Sequence, residues 1–316
     1  MKYYGQRAGA GLIITEGISP SPNGLGYPRI PGLFNADQMK SWRLVTDTVH
    51  KNGGKIFAQL MHCGRVGQAL NLPAGAQVMG PSALTAPGEM WTDAQGLKPH
   101  TPPREMTESD IQNTIREYAQ SCQLAMEAGF DGVELHGANG YMIEQFLNTA
   151  SNQRTDKWGG SVENRVRFAV EVAKACVAAV GANRLGMRLS PYGVFNGMAA
   201  DPQTDAVFTT LVSQLSQMNF LYIHIVDHSS MGAPAVSAEL KAKMRSSFKG
   251  AYILSGGYEV QRATADLIEK KGDLVAFGRP FIANPDLVEK LKNGKELKSF
   301  EQSTLYTPGE KGYTDY

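Results

Sequence analysis

Cysteine is scarce in this 316-residue chain: Cys63, Cys122 and Cys176 are odd in number and show no C-x-x-C spacing. That excludes a disulfide framework and a zinc ribbon, and the three read as reduced thiols. An excess of charge is equally lacking, since 31 basic and 30 acidic side chains leave a net charge of +1. Nucleic acid and anionic membranes are normally met by a clustered basic excess, so neither is expected as a partner. No apolar run reaches the roughly 18 residues of a membrane span, and the start at Met1 to Gln6 is too polar and aromatic for a signal peptide. A cytoplasmic location is the resulting expectation. No Walker-type phosphate loop occurs. Gly9 and Gly11 lack the third glycine of a dinucleotide turn and precede a strand instead of following one.

What is present is a large apolar share, 42%, enough to bury one big domain or two ordinary ones and to exclude disorder. Short runs rich in Ile, Val and Leu recur seven times: 11–15, 55–60, 132–136, 185–189, 221–225, 251–255 and 273–277. Between them, helical spacing predicts helices near 37–52, 108–128, 162–180, 204–217, 236–247, 259–271 and 285–292. The 108–128 helix has the clearest start, a Thr107/Asp110 capping box, with Ile111, Ile115, Tyr118 and Cys122 on one face. Cys122 therefore reads as core.

Strands this apolar are buried on both faces, as in parallel sheets covered by helices. A (β/α)₈ TIM barrel needs about 250 residues and carries its chemistry at the carboxyl ends of its strands. Gln59, His136, Arg188, His224, Gly256 and Arg279 all fall at or just beyond predicted strand ends. The expected fold is therefore an α/β TIM barrel in a single domain, 1–316, with its first strand missing, because the chain opens on a helix-like segment, Met1 to Ala8. Three irregular stretches, 17–36, 61–105 and the tail from Phe300, are expected to form lids or binding walls.

In Val133-Glu134-Leu135-His136-Gly137-Ala138-Asn139-Gly140-Tyr141, a His at a strand end could share a mouth with Asn139 and Tyr141. Two donors there could polarise a carbonyl or nitro oxygen while a phenol delivers a proton. Spacing alone leaves a plain capped turn equally open. Further along stands Ser151-Asn152-Gln153-Arg154-Thr155-Asp156-Lys157-Trp158-Gly159-Gly160-Ser161. These segments join Tyr3-Tyr4-x-Gln6-Arg7-Ala8, Gln59-Leu60-Met61-His62, Arg188-Leu189-Ser190-Pro191-Tyr192-Gly193 and Phe277-Gly278-Arg279-Pro280-Phe281. Together they resemble the Old Yellow Enzyme family over essentially the whole chain.

The resemblance implies a TIM barrel with noncovalent FMN, reduced by NADPH or NADH and reoxidised by an activated alkene: an enone, an enal or a nitro compound. His136 and Asn139 match the pair that binds the substrate oxygen, and Tyr141 matches the proton donor to the α-carbon, while hydride passes from flavin N5 to the β-carbon. Gln59 matches the amide on the flavin's pyrimidine edge and Arg188 the cation beside its N1 and C2 oxygen. A satisfied core Gln is the alternative for Gln59. For Arg188 a purely structural role is disfavoured, since a barrel-interior cation is costly to desolvate without such a partner. Gly256, Gly257, Gly278 and Arg279 lie where TIM barrels commonly hold phosphate on backbone N–H groups, with Arg as a fork; Gly256-Gly257 could also be a simple turn. Tyr306 aligns with an aromatic pocket wall, although an ordinary Tyr in a tail is the alternative. Met61 replaces the more usual Trp of that wall, and Trp158 a more usual Tyr. His224, Asp227 and His228 could suggest a metal, but the family uses none. His62 and Cys63 are at most pocket-lining, and Cys63 has no base partner that would make it a nucleophile.

Relatives carry an additional first strand, with a Pro and a Thr near the flavin, before Tyr-Tyr-x-Gln-Arg-Ala. A coding start placed too late is the expected reason that it is missing here. Two rival readings remain: a truncated noncatalytic barrel with weak or no FMN binding, and a flavin-free barrel enzyme. The second would need a strand-end Lys or paired carboxylates, and the sequence offers neither. The physiological alkene, the preferred nicotinamide and the oligomeric state are not legible.

Overall fold

A computed structural model describes residues 1–316. Seven strands form its main sheet: β1 (Ile13–Ile18), β2 (Ile56–Leu60), β3 (Gly132–Gly137), β4 (Leu185–Leu189), β5 (Tyr222–Val226), β6 (Ala251–Ser255) and β7 (Leu274–Val275). They stand side by side in chain order, and every neighbouring pair is parallel. Helices return the chain between them: Ala36–Lys51, Glu108–Glu127, Val162–Val180, Thr204–Gln217, Ala238–Ser247 and Val260–Ile268. This is the curled parallel wall of a TIM-type barrel, with β1 and β7 at its two ends.

Local chemistry sets most element boundaries. Thr107 and Asp110 exchange side-chain-to-backbone hydrogen bonds as a capping box, and the Asn35 and Ser161 side chains accept from first-turn N–H groups of their helices. Ser237 does the same for Leu240, so its helix begins at Ala238 and not at 236. The Val260 helix stops at Ile268, short of the expected 271, and Lys270 turns left-handed at φ 57°. β1 starts later than expected and runs on to Ile18 through an irregularity between Ile14 and Gly17. β7 keeps only two residues of the expected 273–277, because it pairs on one side only, with β6.

Several short elements escaped the sequence, among them a parallel pair of Met79–Gly80 with Arg104–Glu105. The 61–105 stretch contains an antiparallel hairpin, Glu89–Thr92 with Gly96–Pro99. Met142–Leu147 is a six-residue helix buried at every position, so it has no amphipathic stripe to read.

The core has two parts at the barrel wall and a third, small cluster of Val66, Ala86 and Met90 packed against Tyr27 and Tyr141. Outside the sheet, the helices bury their apolar faces; Ile111, Ile115, Tyr118 and Cys122 all lie in this layer, each such side chain contributing roughly 1.5–3 kcal/mol. Inside, Phe57, Tyr222 and Ile253 plug the barrel with Leu12, Ile14, Ala251 and Ala276 against them. Two glycines make room for the plug: a Cβ on Gly132 would stand 2.4 Å from the Phe57 ring, and one on Gly186 2.2 Å from the Tyr222 ring. Two residues further along their strands, Gln59, Glu134, Arg188, His224 and Ser255 face the same interior, because side chains alternate with period two. The polar residues thus sit toward the strands' carboxyl ends, on top of an apolar floor.

Candidate active site

His136 is the penultimate residue of β3, and only 3% of it is exposed. Burial and the nearby Arg188 charge push its imidazole down to about 3, so the ring is neutral at neutral pH. Its Nδ1 accepts from the Ala138 N–H at 3.2 Å. The ring proton is therefore on Nε2, leaving one donor for a ligand.

Asn139 is held from three sides. It is left-handed, φ 59°, a conformation that Asn tolerates better than most residues. Its N–H donates to Ser190 Oγ at 2.9 Å and its carbonyl accepts from Asn196 Nδ2 at 2.7 Å. His228 Nε2 lies 2.7 Å from its Oδ1, which leaves the amide NH₂ for a ligand. Below this loop, the buried Glu144 accepts from the Gly140 N–H at 2.5 Å and the Ser190 hydroxyl at 2.8 Å. Burial raises its carboxyl to about 7 in spite of those bonds.

Tyr141 precedes the Met142–Leu147 helix, its ring edge-on to His136 at 5.2 Å. Its hydroxyl lies 3.1 Å from that of Tyr27. Burial first, then the Tyr27 neighbour, raise its phenol well above the ordinary range, so it keeps its proton at neutral pH. Arg188, in register with both His136 and His224, is half-buried. Burial opposes its charge, and Glu134, Glu144 and Tyr141 favour it only through space.

The other expected residues are spread more widely. Gln59 Nε2 donates to Glu134 at 2.7 Å. Met61 is buried against Gly17, where a Cβ would stand 2.7 Å from its sulfur. Gly256 and Gly257 are both left-handed and abut the loop that carries His228, with a Cβ on Gly256 falling 1.9 Å from the Asp227 carbonyl oxygen. Gly278 and Arg279 are exposed at the start of the short helix Pro280–Ala283. Tyr306 is 87% exposed, and its phenol is near enough to Tyr27 to add to that group's upward shift. His62 and Cys63 are completely buried, within the expectation that they are at most pocket-lining. Burial pushes the Cys63 thiol up to about 12 and the His62 ring down to about 3. His224, Asp227 and His228 diverge to different partners: Glu134 and Ser255, Lys241, and Asn139. No three His, Cys, Asp or Glu side chains are arranged to hold a metal ion.

The family model described as NADH:flavin oxidoreductase / NADH oxidase matches residues 1–298. The chain belongs to this family, that of Old Yellow Enzyme. It is 39% identical over 343 residues to the flavin oxidoreductase hxnT of Emericella nidulans, a match covering 100% of this chain and 86% of that protein. To 12-oxophytodienoate reductase 1 of Oryza sativa subsp. japonica it is 38% identical over 320 residues, covering 99% and 82%. Morphinone reductase superposes with a TM-score of 0.96 at 41% identity, and the old yellow enzyme homologue from Zymomonas mobilis with 0.95 at 37%. Each structural match covers 100% of this chain, and 86% and 88% of the respective structure. The protein is thus an FMN-dependent oxidoreductase that takes its electrons from a nicotinamide. No helix is long and apolar enough to cross a membrane.

The residues present fit FMN. Arg188 is a barrel-interior cation with no hydrogen-bonded counterpart, suited to the electron-rich pyrimidine edge. Gln59, on the same interior face, keeps an unengaged carbonyl oxygen, and Gly278 has open space where a side chain would stand. Sequence reasoning missed Tyr27, Glu144, Ser190 and the part played by His228. It also missed Glu134, for which a signal was available: a Glu inside the buried run Gly132–Gly137, where an unpaired carboxylate is not found.

Proposed function

We propose that this protein transfers hydride from NADPH or NADH to the β-carbon of α,β-unsaturated carbonyl and nitro compounds. Bound FMN supplies the hydride carrier between the two substrates. The observation that carries the reading is the pairing of a neutral His136, able to donate only from Nε2, with the Asn139 amide and the protonated Tyr141 phenol around one mouth. Negative charge grows on the alkene's activating oxygen as its β-carbon is reduced. Donors from His136 and Asn139 then bind that oxygen more tightly than in the ground state, which is what accelerates a reaction. Tyr141 gives its proton to the α-carbon, and Tyr27 stands hydrogen-bonded behind it. Gln59 and Arg188 hold the pyrimidine edge of the flavin; Gly256, Gly257, Gly278 and Arg279 hold its phosphate. Met61 and Tyr306 border the alkene.

The test uses the purified chain loaded with FMN. A phenol should bind and give a long-wavelength charge-transfer band, which His136→Ala with Asn139→Ala should abolish. The same pair should lower turnover by about 10²-fold or more. A band unchanged in the double variant sinks the assignment of these two residues. The rival noncatalytic barrel is favoured by a different result, a folded chain that purifies colourless and takes up no added FMN.

A further inference from the structure

Gln59 and Glu134 face one another across β2 and β3 in the sheet register. Glu134 is completely buried, and as a carboxylate it has no hydrogen to donate. The Gln59 group 2.7 Å from Glu134 Oε1 is therefore the amide nitrogen, an assignment that chemistry alone dictates. The second carboxylate oxygen meets His224 Nδ1 at 2.9 Å, and His224 Nε2 meets Ser255 Oγ at 2.9 Å. Ser255 Oγ also lies 3.2 Å from the Ile225 carbonyl. The chain of contacts ties β2, β3, β5 and β6 together across the barrel interior, so Glu134 cannot turn without breaking it. Burial opposes the Glu134 charge, but His224, Gln59 and Arg188 outweigh burial and hold the carboxyl below its ordinary range. At neutral pH it is an acceptor on both oxygens.

A free glutamine can offer a ligand either end of its amide. This one can offer only its carbonyl oxygen, which has no protein partner and is not buried. We propose that Glu134 is a positioning residue that fixes the Gln59 carbonyl oxygen toward the cofactor, so that the site selects a heterocycle presenting an N–H there. Arg188, on the neighbouring strand β4, adds a donor for a carbonyl oxygen of the same ring edge. His224 and Ser255, which belong to no metal set, act as the brace that holds Glu134.

The proposal rests on the flavin reading of Gln59 and Arg188, and the experiment separates the two. Apoprotein is titrated with FMN and with FMN methylated at the pyrimidine N–H, following quenching of flavin fluorescence. The wild type should prefer FMN by about tenfold or more, because the methyl group leaves the Gln59 oxygen unpaired. Glu134→Gln supplies a second amide that can meet Gln59 with either end, and the preference should fall to within about threefold. Gln59→Leu should remove it as well. If the wild type takes up neither flavin, the flavin reading falls and the proposal with it. If Gln59→Leu removes the preference while a folded Glu134→Gln keeps it, the reading stands and the proposal is overturned; equal binding of both flavins by the wild type also overturns it. Where Glu134→Gln does not fold, His224→Gln decides the matter. There the remaining carboxylate still orients Gln59, so the preference should persist, and its loss in a folded His224→Gln that still binds FMN overturns the proposal.

Discussion

Tyr27 bears on the Tyr141 proton in two ways. Burial and the adjoining Tyr27 keep the phenol protonated, while the 3.1 Å contact between the two hydroxyls gives a proton lost from Tyr141 a route to replacement. In the proposed mechanism only the reaction with the alkene requires that proton. Tyr141→Phe should therefore slow the alkene half-reaction by about 10²-fold, within the range for one general acid, and leave the NAD(P)H half-reaction nearly unchanged. Stopped-flow measurement of each half-reaction checks this, and equal losses in both would remove Tyr141 from the proton-donor role. Products whose α-carbon is protonated readily by water should show the smallest effect. Tyr27 was invisible in the sequence for a physical reason: it meets Tyr141 across 114 residues, and no local period records a contact of that separation.

At the scale of elements, the short helix Met142–Leu147 acts as a clamp on the loop that precedes it. Glu144 holds the Gly140 N–H and, through Ser190, the Asn139 N–H, while the Gln145 amide donates to the Gly140 carbonyl at 2.8 Å. The Glu144 carboxyl titrates near 7 in the fold against an ordinary value of 4.5, because burial disfavours its charged form. A raised carboxyl gives stability that is complete below 4.5 and lost as the pH climbs through 7, at most about 3 kcal/mol in all. Glu144→Gln keeps the shape and loses the titration. Its melting temperature should match that of the wild type near pH 5 and rise above it toward pH 8. Parallel melting curves for the two across this window would show that Glu144 does not titrate there. The wall of the barrel was legible because its strands are apolar runs of the right length and its helices carry caps. The expected limits of the Val162–Val180 and Thr204–Gln217 helices and of β4 and β6 agree with those observed. The Met142–Leu147 helix was not, since its burial on all sides erases the periodic signal. The proposed triplet His136, Asn139 and Tyr141 was picked out through a resemblance to a family, whereas the groups that hold it, Glu144, Ser190 and His228, are tertiary contacts between residues far apart in the chain.

For the whole molecule, the interior sets stability against function. A barrel of seven parallel strands over an apolar plug would be most stable with apolar side chains throughout its inside, yet Arg188 places a cation above that plug with no hydrogen-bonded partner. Desolvating such a charge costs stability in the apoprotein, and a bound anionic or carbonyl-rich ring edge would offset that cost. FMN bound only by the native state, at a hundredfold excess over its Kd, should stabilise the fold by about 2.7 kcal/mol, roughly 4 °C in Tm for a chain of this size. Arg188→Met replaces the cation with an apolar side chain of similar length. The apoprotein of this variant should melt at or above the wild-type temperature, and added FMN should no longer raise it. The two results separate the alternatives for Arg188. A variant that melts lower as apoprotein shows an internal structural bond to the guanidinium, and one that still gains the full FMN increment shows that the flavin is held elsewhere. The opposite signs, apoprotein up and FMN increment gone, are what a cation placed for its ligand alone produces.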